Sequence, residues 1–181
     1  MFLTRFARNK SQNDMRSSEL SRFNKPELYA ALDAQRRSRG ISWQQAAREI
    51  GVAASTLART KQRGPMEADG MLAMVRWLGR TPESFMRGPS RIAANSEFSA
   101  GQVGSSRPHR FDTKALYEAL DERRRSREMT WKQVAREVGD RVAPRMLARL
   151  ATGGRISVDL MISAVACLGR TVESFTRDAE R

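Results

Sequence analysis

Ser42-Trp-Gln-Gln-Ala-Ala-Arg-Glu-Ile-Gly-Val-Ala-Ala-Ser-Thr-Leu-Ala-Arg59 is the stretch that decides the fold of this chain. Ser42 and Gln45 have the spacing of a capping box, in which the hydroxyl accepts a backbone N–H three residues on and the glutamine reaches back to the cap. Ala46, Ala47 and Ile50 recur at helical spacing and give that short helix its buried face. Gly51 ends it, because the tight turn there wants a residue tolerant of positive φ. Leu57 carries the next helix inward. Its other positions are small, polar or basic: Ala53, Ala54, Ser55, Arg59, Gln62 and Arg63.

The pattern occurs twice. Phe23 to Gly51 lies over Phe111 to Gly139 without a gap at an offset of 88, with 16 identities in 29 residues. Past two extra residues near Asp140 to Val142 the offset becomes 90, and Leu57-Ala58-Arg59 falls over Leu147-Ala148-Arg149. Leu78-Gly79-Arg80-Thr81 and Glu83-Ser84-Phe85 match Leu168-Gly169-Arg170-Thr171 and Glu173-Ser174-Phe175 in the same register. The second copy has its own capping box, Thr130-Trp131-Lys132-Gln133, and a buried face of Val134, Ala135 and Val138 that ends at Gly139. Pro144, Arg145, Arg149 and Thr152 surround its inward Leu147. Two copies are too few for a solenoid, which needs about three, so each copy reads as its own small domain.

Nothing alternates with period two, so the predicted fold is all-α: two tandem five-helix domains joined by a flexible linker. Each first helix starts near Pro26 or its counterpart, with Leu28, Ala31 and Leu32 (Leu116, Ala119 and Leu120) on one face, and the first of them stops near Gly40. A fourth helix carries Met71, Leu72, Val75 and Leu78 (Met161, Ile162, Val165 and Leu168). Thr81-Pro82-Glu83 and Thr171-Val172-Glu173 look like the cap and first turn of a short fifth helix anchored by Phe85 or Phe175. The predicted organisation is a basic N-terminal arm over 1–22, a first domain over 23–87, a linker over 88–110 and a second domain over 111–178. The linker is rich in Gly, Ser, Ala and Pro. As a coil it would span on the order of 26 Å.

Thirty-three Lys plus Arg against 20 Asp plus Glu give a net charge of +13, which calls for an anionic partner. The surplus is uneven: 11 bases face 6 acids over 23–87, and 14 face 11 over 111–181. Cys167 is the lone cysteine and His109 the lone histidine. That excludes a disulfide framework, a Cys-based zinc site and a histidine metal cluster, and no cofactor is expected. Cys167 stands where the first copy has Trp77 and reads as core. No Gly-rich phosphate loop or nucleophile elbow is present, so the chain is not read as an enzyme. No stretch approaches 18 apolar residues, and the start lacks an apolar signal region and carries Asp14 and Glu19, so a soluble, cytoplasmic protein without a membrane partner is expected.

Two short helices joined through Ala-x-x-x-Gly, with a buried leucine six residues on, resemble the Cro and lambda-repressor type of helix-turn-helix domain, the XRE family. The first copy matches that motif without a gap over residues 42–59, and the resemblance covers almost all of both repeats. It implies that the third helix enters the DNA major groove while the second lies across the backbone. Ser42, Trp43 and Gln44, with Trp131 and Lys132, then fall at the phosphates, where a capped helix start and an indole N–H suit an anion. Trp43 and Trp131 read equally well as packing residues against the first helix. Ser55, Arg59 and Gln62 are the expected base readers, with Ala53 and Ala54 against thymine methyls and Arg145, Arg149 and Thr152 as the second set. Arg63, Lys61 and Arg155 fit backbone contacts. The runs Arg36-Arg37-Ser38-Arg39 and Arg123-Arg124-Arg125-Ser126-Arg127 suit the negative end of a helix dipole at least as well as DNA.

The chain departs from the family pattern twice. Both copies have Trp where the family most often has Gln, and the second turn is two residues longer. The expectation is a sequence-specific regulator of double-stranded DNA, most simply a bacterial or phage repressor reading an asymmetric operator. The alternative is a protein-binding regulator, such as an antitoxin or antiactivator, or a DNA reader whose second repeat dimerises the chain or binds a partner protein.

Overall fold

The first two helices of each repeat begin where a side chain satisfies open N–H groups at the helix start. A computed structural model describes residues 22–62, 64–87 and 109–178. The first unit runs β1 (Arg22–Phe23), α1 (Lys25–Ser38), α2 (Trp43–Ile50), α3 (Ala54–Thr60), α4 (Ala68–Trp77), a 3-10 turn (Pro82–Phe85) and β2 (Met86–Arg87). The second runs β3 (His109–Phe111), α5 (Thr113–Ser126), α6 (Trp131–Val138) and α7 (Pro144–Ala148), which continues into a 3-10 turn (Arg149–Thr152). It ends with α8 (Val158–Leu168), a 3-10 turn (Val172–Phe175) and β4 (Thr176–Asp178). Asn24 caps α1 and Asp112 caps α5, while Ser42–Gln45 and Thr130–Gln133 both close as full capping boxes.

The architecture is all-α apart from short strand pairs. Leu28, Leu32, Leu57, Met71, Met74 and Phe85 are fully buried in the first unit, as are Leu116, Leu120, Leu147, Met161 and Ile162 in the second. Each such side chain contributes about 1.5–3 kcal/mol by leaving water. Phe23 meets Phe85 and Phe111 meets Phe175, both with ring centroids 6.2 Å apart. These pairs draw the ends of each unit together, so that β1 pairs antiparallel with β2 and β3 with β4.

Three expectations need correction. Short strands join the helices, and two or three residues are too few to display an alternation in the sequence. They form where the unit's ends meet, with Asn24 donating to the Phe85 carbonyl at 2.7 Å and Asp112 to that of Phe175 at 2.7 Å. The fifth helices are single 3-10 turns, and Thr81 and Thr171 begin them without a side-chain cap bond. Gly51 is left-handed at φ 79° as expected, but Gly139 is extended, with φ 162° and ψ 152°, because the longer second turn leaves α6 in another direction.

The two units share a buried core and touch directly. Ala68 donates to the Ile156 carbonyl at 3.0 Å and Val158 to that of Met66 at 2.8 Å, on either side of the antiparallel bridge Glu67–Ser157. Asp69 accepts the Phe111 N–H at 2.9 Å, and Glu83 accepts the Val172 N–H at 3.0 Å. The arm before residue 22 and the linker over 88–108 lie outside the described residues.

Candidate nucleic-acid interface

The turn between α2 and α3 is closed by its own backbone. Gly51 donates to the Ala47 and Arg48 carbonyls at 3.0 and 3.2 Å, and Val52 donates to Ala47 at 3.0 Å. Leu57 and Thr60 pin α3 to the core; the Thr60 hydroxyl donates to the Thr56 carbonyl at 3.1 Å and lies 3.6 Å from the Met74 sulfur. With that face fixed inward, Ser55, Ala58 and Arg59 are left exposed on the other side. Ala53 and Ala54 stand exposed at the helix start, and Gln62 is exposed just past its end, with its N–H on the Arg59 carbonyl at 2.9 Å. The expected base readers therefore share one exposed surface. Arg63 lies outside the described residues.

Beside that surface the phosphate set divides. Gln44 is exposed, whereas the Ser42 oxygen accepts the Gln45 N–H at 3.2 Å as part of the cap. Trp43 is half-buried: Tyr29 stacks on it at 5.1 Å, and the Arg36 guanidinium lies 5.0 Å from its centroid. Trp131 repeats this with Tyr117 at 5.0 Å and Arg124 at 5.4 Å. Of the two readings left open for the tryptophans, packing against the first helix is the one whose contacts are visible. Lys132 is exposed, and Arg145 and Arg149 are exposed around the buried Leu147. The Thr152 hydroxyl donates to the Arg149 carbonyl at 2.8 Å.

Ion pairing separates the arginines into two kinds. Asp33 holds Arg36 and Arg37 at 2.7 Å each, and Asp121 holds Arg124 and Arg125 at 2.7 and 2.6 Å. The Arg36 hydrogen bond, aided by the Arg37 charge, lowers the Asp33 carboxyl below its ordinary 3.8. Arg39 pairs with Glu49 at 3.1 Å and lies 4.9 Å over Trp77, and Arg123 and Arg127 pair with Glu137. Arg155 pairs with Glu67 across the units at 3.2 Å, so the fold already uses a residue expected at phosphate. By contrast Arg48, Arg59, Lys61, Lys132, Arg136, Arg145 and Arg149 make no ion pair with any described residue. Arg48 and Arg136 join this set although neither belongs to the residues that the helix-turn-helix resemblance assigns to DNA. Their signal was recurrence at one position on an exposed helix face, which a sign count alone does not weigh.

Residues 26–68 match the family model of the helix-turn-helix, Psq domain, a span that runs from the first turn of α1 through α2 and α3 to the start of α4. The matched model is of the Psq type and not of the Cro type that the sequence resembles. Comparisons with curated proteins and with solved structures give no match. The first unit thus carries a DNA-binding helix-turn-helix domain, and DNA is its partner. No helix among the described residues is long and apolar enough to cross a membrane.

Proposed function

We propose that the chain is a sequence-specific regulator of transcription, a repressor of bacterial or phage type, whose α3 reads the major groove of double-stranded DNA. One observation carries this: Ser55 and Arg59 stand exposed on the helix opposite Leu57, and Arg59 makes no ion pair with any described residue while the arginines of α1 are bound to Asp33. A guanidinium without an internal partner keeps its donors for the guanine edge, and a serine hydroxyl serves either base. Arg48 and Lys61 supply phosphate contacts, which position the helix without specifying sequence. Function is by occupancy of the site, with no chemistry performed, and its place is the cytoplasm.

The test is selection of bound duplexes from a random pool, followed by titration of the selected site at several salt concentrations. Expected are one enriched motif and an affinity falling steeply with salt, as counterion release requires. Salt-independent binding would defeat the proposal. A second reading, in which the second unit serves dimerisation or a partner protein, draws on the extended Gly139 and the five-residue α7. Arg149→Ala beside Arg59→Ala in the same titration separates the two: if only Arg59→Ala weakens binding, the second unit is not a reader.

A further inference from the structure

The contact between the units reads the same from either side. The bond from the Ala68 N–H to the Ile156 carbonyl becomes, on moving each residue to its counterpart 90 positions away, the bond from the Val158 N–H to the Met66 carbonyl. Glu67 lies opposite its own counterpart, Ser157. Outside this centre, α4 packs on β3 and α8 on β1. Such exchange defines a self-complementary interface about a two-fold axis, and here both faces belong to one chain. The pairing is close to the reading elements. Met66 follows the end of α3 by six residues, and Ile156 follows the 3-10 end of the second recognition element by four. The nearby cleft between Leu72, Val75 and Pro82 on one side and Glu173 and Thr176 on the other holds about 30 Å³, room for little more than a water or two.

We infer that this antiparallel pairing, and not the connection between β2 and β3, sets the separation of the two recognition elements, so that a single chain reads two half-sites at one fixed spacing. The inference rests on the proposed reading of DNA. A coil spanning on the order of 26 Å would let the heads take many separations. Paired main chains flanked by the buried Met66, Ala68, Ile156 and Val158 hold one. The unequal turns before α3 and α7 make the two half-sites different sequences in a constant register.

The experiment is selection by the full chain from random duplexes of about 40 base pairs, long enough for two half-sites a helical turn apart. The readout is the distance between the two enriched motifs. Alongside it runs the double variant Ala68→Pro with Val158→Pro, which removes the two N–H donors of the antiparallel pairing and leaves the Phe111 and Val172 N–H bonds to Asp69 and Glu83. Both residues open a helix, where proline is favoured. Glu67 (φ −80°, ψ 144°) and Ser157 (φ −74°, ψ 149°) already have the extended backbone required before proline. The wild type is expected to give two motifs at one distance to within about one base pair. The variant, with unchanged helical circular dichroism, is expected to keep the motifs and scatter their distances. Scattered distances or a single motif from the wild type, or a folded variant with the wild-type distance, would overturn the inference and leave the reading by α3 standing. A wild-type chain that enriches no sequence would overturn both. Should the variant not fold, the wild-type distances decide alone.

Discussion

The two units are alike where they are buried and diverge just past their second helices. α2 and α6 open with the same capping box, carry a tryptophan stacked on a tyrosine of the preceding helix, and are followed by a buried leucine, Leu57 or Leu147. Between helix and leucine they part. Gly51 turns left-handed and α3 runs seven residues, whereas Gly139 stays extended, Val142 folds back onto its carbonyl at 2.9 Å, and α7 runs five residues before tightening to 3-10. A short helix fastened to the core by so few side chains can change its direction without disturbing the packing beneath it. The same economy appears at the other end. Glu49 joins Arg39 to the Trp77 indole N–H at 2.9 Å, while Glu137 joins Arg123 and Arg127, with the Cys167 sulfur 3.9 Å away. Burial raises the Cys167 thiol above its ordinary 9.0, with the Arg123 charge opposing and the Glu137 charge adding to it.

The largest effect expected tests whether the units stand or fall together. Phe85→Ala and Phe175→Ala should each cost about 3–5 kcal/mol, since both rings are buried. Because the core is shared, calorimetry should show one transition in each variant. Two separated transitions would break the picture of a joint fold. Next, Arg59→Ala should lose about 1–3 kcal/mol of binding to a selected duplex, roughly 5- to 150-fold, by fluorescence anisotropy. Arg149→Ala should lose less, because its helix is shorter and its turn different; equal losses would erase the functional contrast between the units.

A smaller pair of substitutions addresses the turns themselves. Gly51→Ala should destabilise by about 1–2 kcal/mol, because alanine must take a left-handed backbone there. Gly139→Ala should change stability by less than about 0.5 kcal/mol. Its backbone is extended, and the added methyl meets only Val142 Cγ2, at an ordinary 3.6 Å. Urea melts of both variants measure the difference, and equal costs would contradict the two turn geometries. The smallest effect is the pH dependence from Asp33. Its folded carboxyl is lowered, so the stability it lends is present above its unfolded value of 3.8 and lost as pH falls through the folded value. Asp33→Asn should therefore be less stable than wild type at neutral pH, with the gap closing in acid melts.

Much of each unit was legible because its signals are local. Capping pairs, the Ala46, Ala47 and Ile50 spacing and the terminal glycines act within one helical turn, and each helix starts and stops near the residues that announce it. The inward position of Leu57 and the exposure of Ser55 and Arg59 followed from the same period. What stayed open at the interface depended on partners far along the chain. Whether Trp43 faces solvent is decided by Tyr29 and Arg36 on α1, and which arginines remain free is decided by where Asp33, Glu49, Asp121 and Glu137 lie. Both unit turns also carry a glycine after an identical Arg-Glu pair. Past it the second turn is two residues longer before the buried leucine, and its glycine is extended where Gly51 is left-handed.

By itself the sequence determined the helices, the buried face of each unit and the basic surface that DNA requires, because periodicity and capping are properties of neighbouring residues. Tertiary structure alone decided that the units join, through the main-chain pairing of Ala68 with Ile156 and Val158 with Met66, the Asp69 and Glu83 carboxylates on the Phe111 and Val172 N–H groups, and a shared buried core. The central pair are main-chain bonds, and every residue but proline offers the same N–H and C=O, so side-chain identity leaves no mark of them until the chain has folded and brought residues about 90 positions apart to face each other.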